Sequence, residues 1–183
     1  MIRLTADTPI ALERIGGKAV GLVRLMRAGF DVPEAWCIPV GGVEEDELRR
    51  FWAEHSAWRF AVRSSATAED LAESSFAGIY TTVLGVDSAD ALVEAVHTCR
   101  EAFDGEHAVA YRLRREFTNA GGLALVVQRL LSPEVAGVMM TENPQRPFAD
   151  EVVVDAVFGL GEGMVSGRVE PDHVVLTREG AVV

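Results

Sequence analysis

Residues 59–78 read RFAVRSSATAEDLAESSFAG. The apolar triplet Phe60-Ala61-Val62 predicts a short strand. The run from Ser64 to Gly78 is small, hydroxylated and acidic, which is the composition of a loop. On this reading Arg63 stands at the strand end, where ligand contacts concentrate in α/β folds. Its planar guanidinium suits phosphate oxygens, and the residues after it can offer backbone amides and hydroxyls to an anion. The competing reading is a surface loop in which Arg63 pairs with Glu69 or Asp70.

Upstream, Leu12, Ile15, Leu22, Leu25 and Met26 give residues 12–29 one apolar helical face, with Gly29 as the stop. Within it, IGGKAVGL (15–22) presents Lys18 from a glycine turn at a helix start, where free amides favour anions; a solvated lysine is the alternative. The segment is not a Walker loop, because Leu12 sits where the first glycine belongs and Ala19 replaces the Ser or Thr. FDVPEAWCIPV (30–40) predicts a turn and a strand bounded by Pro33 and Pro39. Residues 43–56 predict an acidic surface helix. IYTTVLGV (79–86) predicts a strand, with Asp87 or Ser88 capping a helix over 89–103. A further helix is expected over about 105–116.

The second half changes character. LALVVQRLL (123–131) is a near-continuous apolar run, as in a strand buried on both faces. The Gln128 amide inside it must find partners, either neighbouring backbone or a nucleotide base or sugar. AGVMMTENP (136–144) and EVVVDAVFG (151–159) predict strands, and DHVVLTREGAVV (172–183) a hairpin around Arg178-Glu179-Gly180. Gly159, Gly161, Gly163 and Gly167 follow a strand, yet Met164 stands where a dinucleotide fingerprint needs its third glycine. A tight loop holding Glu162 is expected instead. The pattern predicts an α/β first half and a strand-rich second half.

A chain of 183 residues fits one domain or two small lobes. Its net charge of −11 disfavours nucleic acid as a partner. The same charge means that a nucleotide could bind only where local cations, with or without a divalent metal, overcome the general field. No apolar run is long enough for a membrane span, and the N-terminus lacks a secretory pattern, so a soluble, cytoplasmic protein is expected. Cys37 and Cys99 are far apart and read as reduced, buried thiols. His55, His97, His107 and His173 show no zinc-ligand spacing.

Four segments, GGKAVGL…AGFDVPEAWCI, AVRSSATAEDLAESSFAG, VVQRLLSPEVAGVMMTENP and FGLGEGMVSGRVEPDHVVL, together resemble the nucleotide-binding domain of the pyruvate phosphate dikinase and phosphoenolpyruvate synthase group. Rifampicin phosphotransferases carry the same domain. The resemblance implies an α/β (α+β), ATP-grasp-like fold, a single domain over 1–183 with approximate lobes 1–104 and 105–183, and ATP bound between the lobes with Mg2+. It implies that Lys18 and Arg63 contact the phosphates as the catalytic cations, and that Gly78 and Thr82 belong to a covering loop. Gln128 would lie near base and sugar, and Glu162 would be the acid of the GLGE loop. Phosphoryl would pass to a histidine on a separate domain or chain; none of the four histidines here sits in such a context.

Compared with that family, the stretch between WCIPV and FAVRSS is short. A late segment resembling DIEW…QSRP, with a metal-binding glutamate, a glutamine and an arginine, is missing, so a domain truncated at the C-terminus and in the lid region is expected. The metal ligands stay unassigned. The expected function is the ATP-binding part of a phosphotransferase; the alternative is a non-catalytic nucleotide-sensing or protein-interaction module derived from it.

Overall fold

The computed structural model describes residues 1–67, 81–105 and 122–183. They divide into two compact units, Met1–Leu130 and Leu131–Val183. The expected helix over about 105–116 falls almost wholly outside the described residues.

The first unit is built on a five-stranded sheet in the order β1-β2-β5-β3-β4. The strands are β1 (Ile2–Arg3), β2 (Ala35–Ile38), β3 (Phe60–Ala66), β4 (Thr82–Val86) and β5 (Leu123–Arg129). Every pairing is antiparallel. β5 sits in the middle because both its neighbours and both its faces are protein. Leu125 and Val127 enter a core with Leu48 and Phe51 of α2 (Glu45–His55) and with Leu92 and Val96 of α3 (Ala89–Asp104). Ala124 and Val126 enter a second core with Ile15, Ala19, Val20 and Val23 of α1 (Leu12–Arg27). Successive side chains on a strand point to opposite faces, so an unbroken apolar run is what a strand between two helical layers requires.

Local signals place the helix ends. α1 stops where Gly29 takes φ +84°. The Gly29 amide donates to the Met26 carbonyl (3.1 Å) and the Phe30 amide to that of Leu25 (3.1 Å), the paired bonds of a Schellman ending. α3 starts at Ser88, whose hydroxyl accepts from the Ala91 amide at 3.1 Å.

The second unit is a three-stranded antiparallel sheet, β6 (Val135–Met140), β7 (Glu151–Phe158) and β8 (Asp172–Thr177), in that order. After β8 the chain turns through Gly180 (φ +89°) and bridges back at Leu176–Val182, the expected hairpin. Glu162 does not sit in a bare loop: it opens a single helical turn, α4 (Glu162–Val165). The antiparallel pairing of β6, β7 and β8 removes the parallel βαβ setting that a Rossmann turn needs.

Candidate functional site

β3 runs past Val62, where the apolar triplet ends, to Ala66. Ser64, Ser65 and Ala66 pair with Leu125, Ala124 and Leu123 of β5. Arg63 therefore lies inside a strand of an antiparallel sheet and not at its end, which corrects the reading from pattern alone. Ser64 and Ser65 are almost fully buried, at 1% and 0% exposure, and their hydroxyls serve the fold instead of wrapping an anion. The Ser64 hydroxyl donates to the Thr81 carbonyl (3.1 Å) and accepts from the Thr81 amide (3.2 Å). The Ser65 hydroxyl donates to the Ile15 carbonyl (2.9 Å) and accepts from the Ala19 amide (3.1 Å).

Arg63 shares a face of β3 with Ala61 and Ser65. Its Nη1 donates to Gln128 Oε1 at 3.2 Å. Burial pushes the guanidinium pKa down from its ordinary value, and among the described residues no carboxylate forms an ion pair with it. Gln128 is 9% exposed. Its own NH2 donates to the Pro33 carbonyl at 3.4 Å, so both ends of the amide have partners in the protein. Thr82 is exposed and lies directly across from Arg63 in the β3–β4 pairing.

Lys18 follows a break in α1. Gly16 has φ 73° and ψ 172°, which divides the helix into Leu12–Ile15 and Gly17–Arg27. A Cβ at Gly16 would collide with the Ser65 carbonyl. Lys18 thus occupies the first turn of the second piece, beside Ala19, whose amide Ser65 holds. The lysine charge is felt at the Cys99 thiol. Burial raises that thiol's pKa, while a Ser64 hydrogen bond and Lys18 pull it back down. Cys37, also free and buried, is pushed up to about 12 by burial.

The structure thus brings Arg63, Gln128 and Thr82 together on one sheet and ties the Lys18 segment to the same strand through Ser65. Glu162 belongs to the second unit, where it pairs with Arg168. Gly78 lies outside the described residues. Among the described residues no group of three or more His, Cys, Asp or Glu could hold a metal ion, and no helix is long and apolar enough to cross a membrane. Pattern reading missed the structural use of Ser64 and Ser65. It also passed over a signal that was present: Lys18 is the only lysine in the chain, and all other Lys/Arg positions are arginine.

The first unit is an antiparallel sheet between helical layers, with one partly buried cation, Arg63, on its strand β3. The chain belongs to the family of the pyruvate phosphate dikinase AMP/ATP-binding domain, whose model matches residues 43–183. A probable phosphoenolpyruvate synthase of Methanocaldococcus jannaschii is 46% identical over 120 residues, covering 65% of this chain and 10% of that protein. The prodigiosin synthesizing transferase PigC of Serratia marcescens is 32% identical over 212 residues, covering 97% of this chain and 24% of PigC. The rifampicin phosphotransferase of Bacillus subtilis is 39% identical over 126 residues, covering 68% and 14%. The chain thus spans only 10% to 24% of the length of these three relatives.

Proposed function

We propose that this chain is the ATP-binding part of a phosphotransferase of the phosphoenolpyruvate synthase and pyruvate phosphate dikinase type, moving a phosphoryl group from ATP towards a histidine on another domain or chain. The observation that carries this reading is Arg63. A guanidinium withdrawn from water is costly unless an anion meets it. Among the described residues it meets only the neutral oxygen of Gln128. A triphosphate would supply the missing negative charge, with bidentate geometry that suits arginine.

In this reading Lys18 is the second phosphate cation, a compact ammonium at a helix start. Thr82 stands on β4 across from Arg63 and not in a loop, so only the Gly78 segment would cover the phosphates. Gln128 orients Arg63 and borders the base and sugar. Glu162 is a further nucleotide-binding candidate, as the acid of the GLGE loop of an ATP-grasp-like fold. Phosphoryl transfer asks the protein chiefly for placed positive charge and alignment, and this chain's residues offer both. The described residues do not form a cluster fit for Mg2+, so no step is assigned to the ion here. The greater length of the relatives supports a phosphohistidine and acceptor site outside these residues.

The test is thermal melting of the chain with and without Mg-ATP. Ligand at a hundred times its Kd adds about 2.7 kcal/mol, which raises the Tm of a domain of this size by several degrees. Lys18→Ala and Arg63→Ala each abolish that rise; a full rise in both variants removes the site. Release of phosphate from labelled ATP, or its transfer to an added partner, separates a phosphotransferase component from a nucleotide sensor, which would bind without turnover.

A further inference from the structure

We propose that Ser65 is a positioning residue that sets Lys18 relative to Arg63. Its effect on ATP rests on the function proposed above; its effect on Lys18 rests on geometry alone. The helical piece that carries Lys18 begins after the break at Gly16, so its first amides have no partner within the helix. The residue preceding α1, Ala11, gives no side-chain cap. The cap comes instead from another element. Ser65 on β3 accepts from the Ala19 amide, the third residue of the new helix, at 3.1 Å. The same hydroxyl donates its one proton to the Ile15 carbonyl, the last residue before the break, at 2.9 Å.

One buried oxygen therefore grips both sides of the break, with Lys18 held between the two attachment points. Ile15, Ala19 and Ser65 are 2%, 0% and 0% exposed, so none of these groups can turn to water instead. Gly16 completes the arrangement, since its positive φ and the nearby Ser65 carbonyl leave no room for a side chain. Ser65 is also two residues from Arg63 and on the same face of the same strand. A stretch of β3 backbone thus fixes the spacing between the chain's only lysine and its desolvated arginine.

The single lysine makes the proposal directly measurable. Reductive methylation with 13C-formaldehyde labels two amines in the full chain, the Lys18 side chain and the Met1 N-terminus, and each gives its own NMR resonance. Ser65→Ala is expected to move the Lys18 resonance and the midpoint of its titration while the Met1 resonance stays in place. On unlabelled protein, Ser65→Ala is expected to weaken ATP about tenfold. Ser65→Cys fills the same space with a weak acceptor and is measured in the same way if the alanine variant does not fold.

The proposal is overturned if the Lys18 resonance and titration are unchanged, if both amines shift together, or if neither variant folds, since Ser65 would then act on the core alone. An unchanged ATP affinity beside a displaced Lys18 would also overturn it. If the unsubstituted chain shows no response to ATP, the proposed function fails, and the Lys18 resonance still decides the role of Ser65.

Discussion

The two units differ at one charge: both pair exposed arginines with carboxylates, but only the first holds a half-buried arginine with no carboxylate partner among the described residues. In Leu131–Val183 each arginine faces a carboxylate: Arg146 lies 2.8 Å from the buried Glu151, and Arg168 and Arg178 pair with Glu162 and Asp150. Glu151 is also held by Asn143 at 2.8 Å, and Asp155 by His173 at 2.6 Å. In Met1–Leu130, Arg63 is half-buried, yet among the described residues it has only an amide oxygen for company. A buried charge with its counter-charge in place is part of the fold. For Arg63 the proposed triphosphate would supply the counter-charge; Glu69 and Asp70, the alternative partners, lie outside the described residues.

The largest effect that can break this contrast is at Arg63 itself. Arg63→Met deletes the charge but keeps much of the aliphatic stem. The full ATP-linked gain, about 2.7 kcal/mol at a hundred times Kd, should disappear. The unliganded protein should stay within about 1 kcal/mol of its parent. Relief of the arginine's desolvation is set against a Gln128 oxygen left without its donor, and each of these is of about that size. Urea unfolding without nucleotide measures the second quantity. A loss of several kcal/mol there would make Arg63 a structural residue and end the contrast between the units.

Much of this arrangement was legible in the sequence, and the exceptions have a common cause. Gly29 ends α1 and Ser88 starts α3 by rules that act over a few residues, so pattern reading finds them. The apolar run of β5 announces a strand between two layers. β3 is different. Arg63-Ser64-Ser65-Ala66 has little intrinsic preference for strand, and the segment is extended because β5 pairs with it residue by residue and because both hydroxyls find backbone partners distant in sequence. Such partners are invisible until the fold exists, so the serines looked like loop donors. Strand direction was equally hidden, since composition does not say whether a doubly covered strand runs parallel or antiparallel to its neighbours. Lys18 could have been weighted more heavily: one ammonium among so many guanidinium groups suggests a position where a compact point charge is wanted.

A middle-sized effect sharpens the other side of the comparison. Arg146→Ala leaves the buried Glu151 carboxylate with Asn143 as its remaining side-chain partner. A charged hydrogen bond of this kind is worth about 1.5–3 kcal/mol. Arg146 itself is largely exposed, which places the expected loss at the lower end, about 1–2 kcal/mol. Urea unfolding should show the midpoint falling at unchanged slope. An unchanged midpoint would mean that the second unit does not depend on its internal neutralisation.

The smallest effect concerns an ion pair of the first unit that lies at the surface. Glu34 accepts from Arg129 at 3.2 Å. Its pKa lies below the ordinary 4.5, first through a backbone hydrogen bond and then through the Arg129 side chain. A carboxylate whose folded pKa is depressed stabilises the fold fully above its unfolded value and loses that contribution as pH falls through the folded one. Glu34→Gln should therefore cost a little near neutrality, under about 1 kcal/mol because both partners are solvated. The gap between variant and parent should close as the pH drops below the depressed value, and it should narrow in high salt. Urea titrations across the acid range measure this gap. A gap that persisted or widened in acid would assign Glu34 an uncharged packing role, and the pair would then no longer serve as the screened, surface counterpart to the Arg146–Glu151 bridge with its buried carboxylate.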